Sequence, residues 1–111
     1  MEISLPANSY DWSNLVSQYG SPLLILDCNT LRNQYRRLKE SLPTVDLYFA
    51  IKSLPNETVI NVLHKEGCHF DIATQGEVLL LENNRVPANK TIHTHPIKRD
   101  SDIRSTLRFG C

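Results

Sequence analysis

Short apolar runs alternate with amphipathic stretches along most of this chain. Leu23, Leu24, Ile25 and Leu26 form the first run, bounded by Gly20 and Pro22 before it and by Asp27 after it. Residues 46–51 (Asp-Leu-Tyr-Phe-Ala-Ile) form the second, rich in residues that favour strands. Residues 68–72 and 90–93 are weaker copies. The runs begin at positions 23, 46, 68 and 90, a repeat of about 22 residues. They lack polar alternation, which predicts strands of a parallel sheet covered by helices.

Between the runs the period becomes helical. Leu31, Tyr35, Leu38 and Leu42 recur at intervals of four, three and four, while Arg32, Arg36, Arg37 and Lys39 fall on other faces. Asn29 is the predicted N-cap of this helix and Pro43 its stop. Pro55 suits the first turn of the next helix; Val59, Ile60 and Leu63 supply its apolar face, and Gly67 its end. Thr74-Gln75-Gly76-Glu77 matches a capping box ahead of the apolar residues 78–81. A last helix places Ile103 and Leu107 four apart, with Asp100 or Ser101 as cap and Gly110 as stop. Residues 10–19 predict one more short helix before the first run. Residues 1–20 therefore read as a lead-in and residues 21–111 as the main unit.

Strand–helix alternation of this kind makes the fold class α/β. A closed (β/α)8 barrel takes about 250 residues, and this chain has 111. The expectation is a partial (β/α)8 TIM barrel: its first three to four β/α units, parallel strands with outer helices. Such a sheet alone leaves an exposed edge, and the sequence ends after a helix, where another strand is due. The chain therefore reads as a fragment of a longer protein.

Charge narrows the partners. Twelve basic side chains balance twelve acidic ones and form no stripe, which argues against nucleic acid and against an anionic membrane surface. The apolar run near the start is too short for a signal-peptide core or a membrane span. Cys28, Cys68 and Cys111 are odd in number and widely spaced, suggesting neither a disulfide framework nor a zinc site, so a cytoplasmic home is expected. His93 and His95, even with Cys68 and His69, lack a standard zinc spacing, and no metal is expected. His64 is expected on the polar side of its helix.

Lys52 stands out chemically. It directly follows the most hydrophobic predicted strand, at the carboxyl end where parallel α/β proteins place reactive residues. A lysine that loses solvation there acts as a nucleophile towards carbonyls and forms Schiff bases. On position alone the plainer reading is a strand-end lysine reaching into solvent, since lysine is seldom buried. Glu77 is explained by the capping box, and Asp71 as a strand-end residue bridging loops.

Four motifs in order change the balance. Tyr48-Phe49-Ala50-Ile51-Lys52 resembles the Tyr-Ala-(Val/Ile)-Lys segment of the ornithine, diaminopimelate and arginine decarboxylases, which are built on the alanine-racemase-type barrel and depend on pyridoxal 5'-phosphate (PLP). Upstream, residues 20–27 (Gly-Ser-Pro-Leu-Leu-Ile-Leu-Asp) resemble that family's opening strand. Downstream, residues 67–77 are similar to its Gly-x-x-Phe-Asp-x-Ala-Ser-x-x-Glu block, and Pro96-Ile97-Lys98 to its Asn-Pro-x-Lys segment. The resemblance runs over residues 13–111. His95 stands where many relatives have Asn, and Cys68-His69 replaces the usual small residues, which leaves substrate preference open.

The resemblance implies that Lys52 carries PLP as a Schiff base, that Ala50 leaves room for the cofactor ring, and that Asp71 and Glu77 lie near the ring. It implies a homodimeric parent that decarboxylates a basic amino acid (ornithine, lysine or diaminopimelate), with PLP as electron sink. The phosphate cradle and the acid opposite the pyridine nitrogen lie later in that family's barrel, so the 111-residue piece is expected to be inactive by itself. A non-catalytic, decarboxylase-like regulator and a racemase or PLP carrier of the same fold are the alternatives. The block from Phe70 to Glu77 favours the decarboxylases over the racemases.

Overall fold

The computed structural model describes residues 11–111. Tyr10, the predicted start of the first helix, lies outside them. Five helices and three strands follow in the order α1 (Trp12–Tyr19), α2 (Cys28–Ser41), β1 (Tyr48–Ala50), α3 (Glu57–Lys65), β2 (His69–Asp71), α4 (Gln75–Asn83), β3 (Thr91–Ile92) and α5 (Asp100–Phe109). The strands form one parallel sheet in the order β1-β2-β3, so the α/β class is as the sequence predicts.

Local chemistry sets the ends of the helices. Asp11, Asp27, Asn56 and Thr74 each turn a side-chain oxygen onto an amide of the first turn, satisfying donors that have no partner inside the helix. Two predicted caps move. The cap of α2 is Asp27 and not Asn29, because the helix starts earlier; the Asp27 carboxylate takes the Thr30 amide at 3.0 Å. Arg99, not Asp100 or Ser101, is the N-cap of α5, with no side-chain cap bond. Pro55 lies before the cap Asn56 and outside α3. Gly67 and Gly110 end α3 and α5 with φ of +89° and +104°, values a Cβ disfavours.

The predicted strand at Leu23, Leu24, Ile25 and Leu26 does not form. These residues belong to no ladder, and Leu24 is 91% exposed. A strand needs a neighbour's N–H and C=O groups, and among the described residues β1 pairs with β2 alone. The sheet therefore has three strands, the lower bound of the predicted three to four.

The core lies on one face of the sheet. Phe70 is fully buried and meets Phe49 edge to face at 6.5 Å between ring centroids. Val59, Ile60 and Leu63 of α3 pack there, as do Val78 and Leu81 of α4, with Ile51, Ile72 and Val86 from the connections. Val59, Ile60 and Leu63 are the apolar face the sequence predicts for α3. On α2 only the first half of the stripe works this way: Leu31 and Tyr35 pack against the core, while Leu38 and Leu42 stay exposed. Ile103 and Leu107 of α5 are exposed too.

Strand alternation puts Tyr48, Ala50, His69, Asp71 and Ile92 on the opposite face. The parallel register aligns Tyr48 with His69, and Ala50 with Asp71, which is in turn aligned with Ile92. On this face Tyr48 and Ile92 are about two-fifths exposed (42% and 40%).

Candidate active site

Lys52 sits in a single 3-10 turn, Ile51–Ser53, that continues directly from β1. Two bonds pin this turn to the strand end: the Ser53 hydroxyl donates to the Ala50 carbonyl at 2.7 Å, and the Leu54 amide to the Ile51 carbonyl at 3.0 Å. Ile51 is fully buried and anchors the turn in the core. Lys52 itself is exposed, and no carboxylate among the described residues pairs with it. Lys52 is thus a solvated strand-end lysine in this chain, the plainer of the two readings its position allows.

Ala50 and Asp71 are register partners and the last residues of their strands. Both are half-buried. The two oxygens of Asp71 are engaged by one residue of the next strand–loop junction. The Thr94 amide donates to Oδ1 at 3.2 Å and the Thr94 hydroxyl to Oδ2 at 2.7 Å. Glu77 lies at the start of α4 and is 8% exposed. Its Oε2 accepts from the Ala73 amide at 2.6 Å, while its own amide donates to the Thr74 hydroxyl at 3.3 Å. This is a reciprocal cap, displaced by one residue from the usual capping box, whose acid reaches the N-cap amide. It holds the loop between Asp71 and α4.

Thr94 and the Tyr48–His69 ring pair, 4.9 Å between centroids, are not picked out by sequence reasoning. A signal for Thr94 is present: counting by two from Ile92 places it on the face that Asp71 shares. His93 and His95 flank it and go elsewhere. His95 closes its own loop, its Nδ1 lying 2.7 Å from the Ile97 carbonyl oxygen and 3.2 Å from the Ile97 amide nitrogen. Lys98 donates to the His93 carbonyl at 3.2 Å, which fixes the turn that carries Pro96. The His93 ring faces a cavity of about 350 Å³ lined also by Ile103, Thr106, Leu107 and Cys111, and its buried Nε2 has no partner among the described residues. Cys68 is buried behind the sheet, where its thiol donates to the His69 carbonyl at 3.0 Å and burial pushes its pKa up to about 11.

These groups suit part of a PLP site. They offer an exposed primary amine with no ion-pair partner among the described residues, a small side chain two positions before it, and an oriented carboxylate. A phosphate cradle needs free backbone N–H groups. At the start of α4 the amides of Ala73, Gln75 and Glu77 are already taken, by Glu77, Asp102 and Thr74. The phosphate would be held by groups outside this cluster.

A family model described as "Pyridoxal-dependent decarboxylase, pyridoxal binding domain" matches residues 28–110. Among solved structures, the chain resembles the lysine/ornithine decarboxylase of Vibrio vulnificus, crystallised with putrescine and with cadaverine. The identity is 55% and the TM-score 0.84, covering 89% of this chain and 27% of that one. It is 29% identical over 98 residues to a diaminopimelate decarboxylase of Actinosynnema pretiosum subsp. auranticum, covering 88% of this chain and 22% of the relative. It is 26% identical over 96 residues to a lysine/ornithine decarboxylase of Selenomonas ruminantium, covering 86% and 24%. The chain thus spans about a quarter of the length of these relatives. None of its helices among the described residues is long and apolar enough to cross a membrane.

Proposed function

The chain belongs to the pyridoxal-dependent decarboxylases, through their pyridoxal-binding domain, and from that premise we propose that its parent protein decarboxylates ornithine and lysine with PLP held on Lys52. The observation that carries this reading is the place of Lys52 in the turn at the carboxyl end of β1, two residues beyond the Ala50–Asp71 register pair, with no ion-pair partner among the described residues. The three β/α units are the opening part of a (β/α)8 barrel, with residues 21–111 belonging to it. The face carrying Tyr48, Ala50, His69, Asp71 and Ile92 is the barrel's inner face.

The residues divide the work. When bound, PLP supplies an electron sink for the pair left behind as the substrate's carboxylate departs as carbon dioxide. Lys52 provides the anchoring amine and yields its place to the amine of the substrate. Ala50 leaves room on the strand for a flat ring. Asp71 presents fixed negative charge at the strand ends. Glu77 shapes the site by holding the Ala73–Thr74 corner that leads away from Asp71. Closure of the barrel by the rest of the parent protein, a homodimer in this reading, would desolvate Lys52 and add the phosphate cradle. The choice of ornithine and lysine draws on the 55% identity to an enzyme crystallised with putrescine and cadaverine, the diamines that remain when those amino acids lose carbon dioxide.

The test is carbon dioxide release by the full-length protein given PLP and either amino acid. Wild type is expected to turn over both, and Lys52→Ala to lose activity at least a hundredfold. Absence of turnover in the PLP-loaded wild type would sink the proposal and favour a non-catalytic relative.

A further inference from the structure

We propose that Thr94 is a positioning residue that holds the Asp71 carboxylate away from the Lys52 amine, so that Lys52 stays free to take up PLP. This rests on the reading of Lys52 given above. Asp71 ends β2 on the same face as Ala50, and Lys52 lies two residues beyond Ala50. The turn that carries Lys52 thus continues from the strand neighbouring Asp71, and an Asp–Lys ion pair formed across these strand ends would tie up the amine that must attack an aldehyde. The geometry avoids this. Both Asp71 oxygens point to β3's end, one to the Thr94 amide at 3.2 Å and one to the Thr94 hydroxyl at 2.7 Å. A two-point grip fixes the plane of the carboxylate as well as its direction, which a single bond does not.

The side chain at position 94 contributes one of the two points. Threonine and serine can donate from there; valine, of nearly the same shape, cannot. In the Thr94→Val variant the backbone bond alone remains, and Asp71 is free to rotate about it. Thr94 is exposed, so the substitution makes no cavity in the core, and a purely structural contribution is limited to one surface-side bond between strand ends.

The attachment step is simple to follow. The Lys52 nitrogen adds to the aldehyde carbon of PLP, a carbon–nitrogen double bond forms, and the aldehyde oxygen leaves as water. The experiment uses the full-length protein freed of cofactor and then given PLP. Aliquots are reduced with borohydride at intervals, and the Lys52 peptide is quantified by mass. Visible circular dichroism of the loaded protein reports how the bound PLP is oriented. Thr94→Val is expected to slow attachment about tenfold, the order of effect of one hydrogen bond to a charged group, and to alter the dichroic band. Thr94→Ser is expected to match wild type, and Thr94→Val in an Asp71→Asn background to add nothing. Should valine disturb folding, Thr94→Ala serves in the same scheme.

Attachment at the wild-type rate in Thr94→Val overturns the proposal. So does an equal slowing in the presence and absence of the Asp71 carboxylate, since Thr94 would then act independently of it. If wild type takes up no PLP on Lys52, the proposed function fails and this inference falls with it. If wild type takes up PLP normally and only the Thr94 comparisons fail, the function stands and the inference alone is lost.

Discussion

Replacing Glu77 by alanine removes an acceptor 2.6 Å from the Ala73 amide, in a site where Glu77 is 8% exposed. A hydrogen bond to a charged group contributes about 1.5–3 kcal/mol, and a carboxylate in a helix's first turn adds about 0.3–1 kcal/mol through the dipole. Ala73 is only half-buried, so water replaces part of the lost bond and the net local cost is about 2 kcal/mol. That raises the open population of the corner and of the first turn of α4 about thirtyfold. Glu77→Gln keeps an acceptor and loses the charge, which halves the bond and predicts about a fivefold change. The Thr74 cap on the Glu77 amide survives in both variants. Hydrogen-exchange mass spectrometry on peptides covering residues 72–83 of the intact protein reads these ratios directly. Wild-type exchange in Glu77→Ala would refute the reasoning. If exchange is unchanged and PLP binding is nonetheless lost, the work of Glu77 lies with the cofactor and not with the loop.

Two further outcomes follow from buried and strained positions. The Cys68 thiol is held protonated by burial, its pKa raised to about 11, whereas an unfolded thiol titrates near 8.5. Its contribution is complete below that value and is lost as pH rises towards 11, about 3 kcal/mol in all; urea midpoints between pH 8 and 10.5 should fall in wild type and flatten in Cys68→Ala. Gly67 has φ +89° and nothing within 4 Å of an added Cβ, while Gly76 carries no positive φ and meets only the Thr74 hydroxyl at 3.8 Å. Gly67→Ala should therefore cost about 1–2 kcal/mol through backbone strain alone, and Gly76→Ala should be neutral or stabilising, a contrast that urea denaturation resolves.

Much of this arrangement is legible in the sequence because it depends on neighbours along the chain. The apolar spacing of Val59, Ile60 and Leu63 marks the buried face of α3, and Thr74 with Glu77 marks the cap of α4. The apolar runs that become β1 and β2 identify Lys52 and Asp71 as strand-end residues. What the sequence does not show depends on groups distant in the chain. The run at Leu23 to Leu26 has the composition of a strand, yet pairing is decided by a neighbour, and the described residues provide none. The start of α2 at Asp27 is hidden because aspartate and asparagine cap equally well, and the competition between Asp27 and Asn29 is settled by where the preceding loop delivers the chain. Thr94 gains its role only from the parallel register of β2 and β3, which sets its hydroxyl beside a carboxylate 23 residues earlier in the sequence.

The assignment of Lys52 is tested most directly by loading the full-length protein with PLP, reducing it with borohydride and mapping the modified peptide by mass. The account predicts one PLP group per chain, carried on Lys52, and none in Lys52→Ala. A reduced adduct on another lysine, such as Lys98, or no adduct at all under conditions where the protein is folded, would contradict it.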